Sequence, residues 1–317
     1  MKEIKVSVWV FVYNEEKYIR QCLDSLVMQK TNFPFEVLVH DDCSTDATPS
    51  IIQEYKDKYP NIVVPILEKE NLFSQHISKI FRILMEKTRG VYITACDGDD
   101  YWTDELKLQK QADFLDNNKD FISHTFDVKE YFENTNTYSE QTKYNFLKQN
   151  SPEKKYVDID YTSYHKSIGF MPMFLSTMFR NGDYLTKIPM EKYKYFRDTV
   201  FFHYVLQQGK GRIVFEPAVV YRKNDSGIYS GKSKEYNQIV TVRNVYDLYS
   251  IGGDKKMLKN VQIHSSFLIH YFYNQEGLKG IKRVFSILKE NTDNLMLIKI
   301  LWFGFTKIFN RNQEYKF

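Results

Sequence analysis

The sequence predicts an α/β protein, with a mostly parallel central sheet flanked by helices and a helical C-terminal extension. Three observations carry this expectation. Short, β-rich apolar runs alternate with helical-period segments through the first 120 residues, the pattern of a parallel sheet. Those runs are apolar throughout instead of alternating, as in strands buried on both faces. From about Lys234 the strand pattern stops, and apolar residues recur only at helical spacing.

Val6–Val12 reads as the first strand, with Asn14 as the cap of a helix carrying Ile19, Cys22, Leu23, Leu26 and Val27. Phe35–Val39 is the second strand and runs into the polar cluster His40–Asp46. Thr48 then caps a helix with Pro49 in its first turn and Ile51, Ile52 and Tyr55 on its apolar face. Ile62–Leu67 reads as a strand, Ser74–Lys87 as a helix and Val91–Cys96 as a strand. A further helix is expected over Asp104–Asn117, capped by Thr103. Tyr131–Tyr164 is polar and Tyr-rich and reads as an irregular insert or hairpin region. Asp198 precedes an apolar helical stretch, where pattern alone makes it an N-cap.

The chain has 317 residues, 43% hydrophobic and 26% charged, which excludes disorder as the main state. A net charge of +4 is too balanced for a protein that coats nucleic acid. The three cysteines, Cys22, Cys43 and Cys96, lie far apart beside apolar runs and read as reduced, buried thiols. No run reaches the roughly 18–20 apolar residues of a membrane-spanning helix, and Val6–Tyr13 is too short for a signal peptide. The expected location is therefore the cytoplasm.

Ligands of open parallel sheets bind outside the carboxyl ends of the strands. Two of those ends carry acids here: Asp41 and Asp42 after the second strand, and Asp97, Asp99 and Asp100 after the fourth. Asp and Gly are good turn formers, which accounts for either turn taken singly. Two such turns on neighbouring strands would crowd five carboxylates together, at a cost in repulsion unless a cation offsets it. Carboxylate oxygens suit Mg²⁺ or Mn²⁺. Neither GxGxxG nor GxxxxGK[ST] occurs, so metal and side chains would have to manage any phosphate.

Three blocks together resemble the family 2 glycosyltransferases of GT-A fold, of the bacterial surface-polysaccharide type. They are Val10-Phe11-Val12-Tyr13-Asn14-Glu15, then Glu36 to Thr48 with its Asp41-Asp42-Cys43-Ser44-Thr45-Asp46 core, then Asp97-Gly98-Asp99-Asp100-Tyr101-Trp102. Val12 departs from the family, where proline is common. The resemblance implies a catalytic domain over residues 1–230, with a nucleotide-sugar half (1–120) and an acceptor half (121–230). A helical region (231–317) would follow. It implies an inverting, metal-dependent transfer from a nucleotide-diphosphate sugar, by default a UDP-sugar, to a glycan or lipid-linked acceptor. Phe11, Tyr13 and Glu15 would border the nucleotide and Asp42 would bind its base. Asp97, Gly98 and Asp99 match the DxD motif, with Asp99 and Asp97 as ligands of Mn²⁺ or Mg²⁺.

The resemblance further puts Asp100 and Trp102 on the acceptor side and makes Asp198 the base. Arg222 or Lys223 would meet the diphosphate, and Asn224 stands where relatives have a metal-reaching His. Ser176 and Thr177 would open a strand lining the acceptor side. Asp225–Ser233 reads either as a loop closing over the donor or as ordinary surface. Leu295–Phe309, apolar with Lys299, Lys307 and Arg311, reads either as an interfacial membrane helix or as a packed or dimer-forming one. Two other functions compete. A sugar nucleotidyltransferase would need a Gly- and Lys/Arg-rich N-terminal signature that Val8–Glu16 lacks. A non-catalytic sugar- or nucleotide-binding module would have lost acids that this chain keeps.

Overall fold

In the computed structural model the described residues are 3–149, 152–166, 172–224, 227, 231–294, 296, 297, 299 and 300. The strands are β1 (Val6–Val12), β2 (Phe35–Asp41), β3 (Val63–Leu67), β4 (Tyr92–Asp97), β5 (Tyr101–Trp102), β6 (Phe121–Phe132), β7 (Thr137–Tyr138), β8 (Tyr156–Ile159), β9 (Thr177–Arg180) and β10 (Lys210–Lys223). The helices are α1 (Ile19–Val27), α2 (Thr48–Lys58), α3 (Ser78–Lys87), α4 (Lys107–Asn117), α5 (Asn145–Gln149), α6 (Tyr161–Lys166), α7 (Asp198–Val205), α8 (Lys234–Ser250), α9 (Leu258–Glu276) and α10 (Leu278–Asn291).

The strands form one sheet in the order β3-β2-β1-β4-β9-β6-β10-β5, with β7 on β6 and β8 on β10. β1 runs parallel to β2 and β4, β2 to β3, and β6 to β10. β9 is antiparallel to both its neighbours, β4 and β6. The register sets the site: Val12 lies opposite Asp41, and Phe11 opposite Asp97. The carboxyl ends of β1, β2 and β4 are therefore level.

Burial explains the strands. Val6, Val8 and Val10 are fully buried and share a cluster with Ile19, Cys22, Leu23 and Leu26 of α1. Each such side chain contributes about 1.5–3 kcal/mol over an exposed one. On the alternate positions of β1, the buried Trp9 packs edge-on against Phe81 and Phe179, and its indole N–H donates to Thr88 Oγ1 at 2.8 Å. Cys22 and Cys96 are buried free thiols, whereas Cys43 is only half-buried, at φ 67° in a left-handed turn.

The caps differ from expectation. Asn14 does not cap α1; it sits at φ 55° and its Oδ1 accepts the Thr45 N–H at 2.8 Å, tying the β1 loop to the β2 loop. Thr48 is the first residue of α2, and Asp46 Oδ1 accepts its N–H. The Thr48 hydroxyl instead accepts the Glu15 N–H at 2.9 Å. Thr103 caps nothing: its N–H joins the Ala218 carbonyl, and α4 begins at Lys107, later than expected. The region read as irregular contains a hairpin of β6 and β7, then α5, β8 and α6.

Two compact units are present. The first comprises Met1–Tyr164, Phe170–Ile188 and Phe201–Asn224, and holds the sheet; the second comprises His165–Gly169, Pro189–Val200 and Asp225–Phe317. In the second unit α8, α9 and α10 follow in sequence, and Ser233 caps α8 by accepting the Tyr236 N–H. No helix among the described residues is long and apolar enough to cross a membrane. Most of Leu295–Phe309 and of Asp225–Ser233 lies outside the described residues.

Candidate active site

The first unit brings most of the sequence-predicted residues to one end of the sheet. Phe11 is half-buried, with its ring 5.5 Å from that of Phe81, and Tyr13 is 48% exposed beyond the strand end. Asp42 is buried. Its two carboxylate oxygens accept the N–H groups of Leu72, at 2.7 Å, and Phe73, at 2.9 Å. It thus holds the loop after β3, and the half-exposed Phe73 with it. Asp41 is likewise absorbed locally, by the hydroxyl and the N–H of Ser44.

After β4 the chain turns sharply. The Gly98 N–H bonds the Phe11 carbonyl at 2.9 Å, and the Asp100 N–H bonds the Asp97 carbonyl at 3.0 Å. A Cβ on Gly98 would come within 3.3 Å of Glu15 Cγ, the Phe11 carbonyl oxygen and Val12 Cγ2, so only glycine sits there without displacing a neighbour. Within this one turn the three acids have different surroundings. Asp97 is exposed, Asp99 is half-buried, and Asp100 is buried. Asp99 Oδ2 accepts from Asn224 Nδ2 at 2.9 Å. Asp100 Oδ1 accepts the Arg222 N–H at 2.7 Å, while Oδ2 is buried with no partner among the described residues.

The electrostatics record this crowding. Burial pushes the Glu15 carboxyl up to about 8, with Asp99, Asp97 and Asp46 adding to the shift and Arg222 opposing it. Burial also raises Asp99, against the hydrogen bond from Asn224. Asp100 lies well above the usual carboxylate range, by burial first and then by Asp99 and Asp97. Ionisation of these carboxyls is therefore disfavoured at this turn, first by burial and then, for Glu15 and Asp100, by the neighbouring acids.

Among the described residues no group of three His, Cys, Asp or Glu side chains is arranged to hold an ion. Two carboxylates suffice for Mg²⁺, whose remaining positions go to water and phosphate oxygens. Asp97 and Asp99 with the unpartnered Asp100 Oδ2 behind them fit a divalent cation by donor chemistry.

Other predicted residues lie elsewhere in the fold. Trp102, expected on the acceptor side, is interior: its indole N–H bonds the Leu175 carbonyl at 3.1 Å, and the Lys107 ammonium lies 3.8 Å from its ring centre. Ser176 and Thr177, expected along the acceptor side, are fully buried. Lys223 pairs with Glu130 at 3.2 Å. Asp198 opens α7, is half-buried, and belongs to the second unit. Sequence reasoning left Gln21 unmentioned, although it accepts from Arg222 Nη2 at 2.6 Å. An exposed helical glutamine carries no sequence signal that would have found it.

The comparisons bear on the family and the fold. The family model Glycosyl transferase family 2 matches residues 7–182. An uncharacterised protein of Mycobacterium tuberculosis is 47% identical over 111 residues, 35% of this chain and 31% of that protein. The poly(ribitol-phosphate) beta-N-acetylglucosaminyltransferase TarS of Staphylococcus aureus is 40% identical over 116 residues, 36% of this chain and 19% of TarS. The matched stretch thus spans under a third of the length of either relative. In fold, the chain resembles the crystal structure of S. aureus TarS 1-349 in complex with UDP-GlcNAc, with a TM-score of 0.62 at 20% identity, over 99% of this chain and 94% of that one. It also resembles a mannosyltransferase from Pyrobaculum calidifontis in complex with GDP-Man and Mn²⁺, with a TM-score of 0.55 at 15% identity, over 98% and 81% of the two chains. With more than half of its length matched, from β1 to just beyond β9, the chain belongs to glycosyl transferase family 2 and has the GT-A fold.

Proposed function

We propose that the chain is an inverting, metal-dependent glycosyltransferase. It would move a sugar from a UDP-sugar to a hydroxyl of a glycan or lipid-linked acceptor in surface-polysaccharide assembly. The reaction would take place in the cytoplasm, at the inner face of the plasma membrane. The observation that carries the reading is the Asp97-Gly98-Asp99-Asp100 turn at the carboxyl end of β4, where burial raises the carboxyls of Asp99 and Asp100. The names of the relatives support the substrate class: TarS is called a poly(ribitol-phosphate) beta-N-acetylglucosaminyltransferase, and its structure holds UDP-GlcNAc.

Asp97 and Asp99 would hold Mn²⁺ or Mg²⁺, and the bound ion supplies positive charge for a leaving diphosphate. The remaining work belongs to the chain. Tyr13 offers an exposed ring beside the β1 end for the nucleotide. Asp42, by fixing Leu72 and Phe73, shapes the wall nearest the base while keeping lone pairs for it. Asn224 orients Asp99. Asp198 would take the proton of the acceptor hydroxyl as that oxygen bonds the anomeric carbon and the bond to diphosphate breaks, inverting the centre. A carboxylate in the first turn of a helix is favoured in its ionised, basic form.

The test is thermal melting of the protein with UDP, GDP, TDP and CDP in Mn²⁺, Mg²⁺ or EDTA. Binding to the folded state alone raises the melting temperature. A rise with one diphosphate that EDTA abolishes is expected, and Asp198→Asn should keep that rise while losing sugar transfer. Equal shifts with and without metal overturn the assignment.

A further inference from the structure

Arg222 is a cation that meets the acid turn, and its position is unusual for a residue that would grip a diphosphate. It is only 7% exposed. Its Nε donates to the Asp99 carbonyl at 2.8 Å, its Nη2 to Gln21 Oε1 at 2.6 Å, and its backbone N–H to Asp100 Oδ1 at 2.7 Å. Three rings surround the guanidinium: Tyr18 at 4.7 Å, Tyr131 at 5.3 Å and Tyr101 at 5.6 Å. Each ring is itself tethered. The Tyr18 hydroxyl donates to Glu133 at 2.6 Å, that of Tyr131 to Asn136 at 2.7 Å, and that of Tyr101 pairs with Tyr138 at 2.8 Å. The cage thus draws on α1, β5, β10 and the β6–β7 hairpin.

Arginine recognises a diphosphate best when its planar fork is free to present two parallel N–H groups. Here one edge of that fork is committed to Asp99 and Gln21, and the aromatic faces hold the plane in place. Moving the guanidinium outward would leave the Asp99 carbonyl and the Gln21 amide without their donor. We infer that Arg222 is a positioning residue: it clamps the Asp97–Asp100 turn from behind, with Gln21 and the tyrosine cage as its anchor, and does not bind the diphosphate. The inference rests on the proposed function only in taking this turn as the donor and metal site.

The test reads the turn itself. Amide hydrogen exchange is measured on the full chain, without nucleotide or metal, for wild type, Gln21→Leu, Arg222→Lys and Arg222→Met. The reporters are the Gly98 and Asp100 amides, bonded to the Phe11 and Asp97 carbonyls. Loss of a charge-assisted hydrogen bond should speed their exchange about 10-fold in Gln21→Leu and in Arg222→Met, with Val8 and Val10 amides unchanged. Arg222→Lys should not restore protection, because an ammonium cannot span both acceptors. Mn²⁺ binding in the presence of UDP, read by electron paramagnetic resonance, should weaken by similar factors in Gln21→Leu and Arg222→Met, and no further in the double variant. Gln21 is exposed on α1, so that variant carries the test even if Arg222→Met does not fold. Unchanged exchange in the turn, with UDP affinity lost in Arg222→Met and kept in Gln21→Leu, overturns the inference. A wild type that binds no Mn²⁺ with UDP, while the variants still exchange faster, removes the glycosyltransferase reading and leaves the clamp standing.

Discussion

At the end of β2, Asp41 is bonded by Ser44, and Asp42 by the N–H groups of Leu72 and Phe73. At the end of β4, Asp97 is exposed, Asp99 accepts from the Asn224 amide, and Asp100 Oδ2 is buried with no partner among the described residues. Both turns follow strands paired in parallel with β1, at level positions. Composition does not distinguish them. The first acid pair finds its donors in Ser44 and in the loop after β3. In the second, burial raises Asp99 and Asp100, and Asp99 and Asp97 add to the rise at Asp100. Where a fold buries carboxyls close together, a cation favours their ionised form.

The largest effect should come from Asp99→Asn. It removes a metal-side carboxylate and turns Asn224 toward a poorer acceptor, so Mn²⁺-assisted UDP binding should vanish and sugar transfer fall about 10³-fold. Retention of metal-dependent binding would erase the contrast between the two turns. Asp42→Asn tests the other side of it. Asparagine has one acceptor oxygen for two N–H groups, so urea unfolding should show a loss of about 1–3 kcal/mol.

A smaller effect sharpens what lies beneath the second turn. Lys107 is fully buried on Trp102, and burial lowers it from 10.5 to about 7. Between pH 7 and 10.5 the unfolded chain holds this proton and the folded chain does not. For this group unfolding takes up a proton, and the Lys107 contribution to stability rises with pH across that window. Lys107→Met should flatten the rise, as read from urea midpoints measured at stepped pH. The smallest effect belongs to Gly98→Ala, whose methyl would press on Glu15 and Val12 at 3.3 Å. A drop in melting temperature of about 2–4 °C is expected, with weaker metal binding as the turn shifts.

Much of this was legible in the residues. The parallel strands announced themselves as unbroken apolar runs, since Val6–Val12 and Phe35–Val39 can only be interior. The acid turns followed from where those runs stop. The helix starts were less legible, because Thr48 and Thr103 look like caps while their actual partners, Glu15 and Ala218, are distant in sequence. Trp102 beside an acid turn suggested a ligand wall, yet its indole is satisfied inside by Leu175. Gln21, Asn224 and the tyrosine cage meet the acid turn only through tertiary pairing, which periodicity does not encode.

The antiparallel strand β9 has a further consequence. It lies between β4 and β6, although Thr177–Arg180 leaves the ribosome long after both. Arg180 then stitches the helix and strand that precede it, through the carbonyls of Leu115, Asn118 and Phe121. Residues 1–120 therefore emerge with the inner edge of β4 open, a template for mispairing during synthesis. The two halves of the sheet are not interchangeable modules. A chimera that exchanges the residues after 120 for those of another family member must carry over Thr177–Arg180 with residues 1–120, or supply a strand that fits both neighbours.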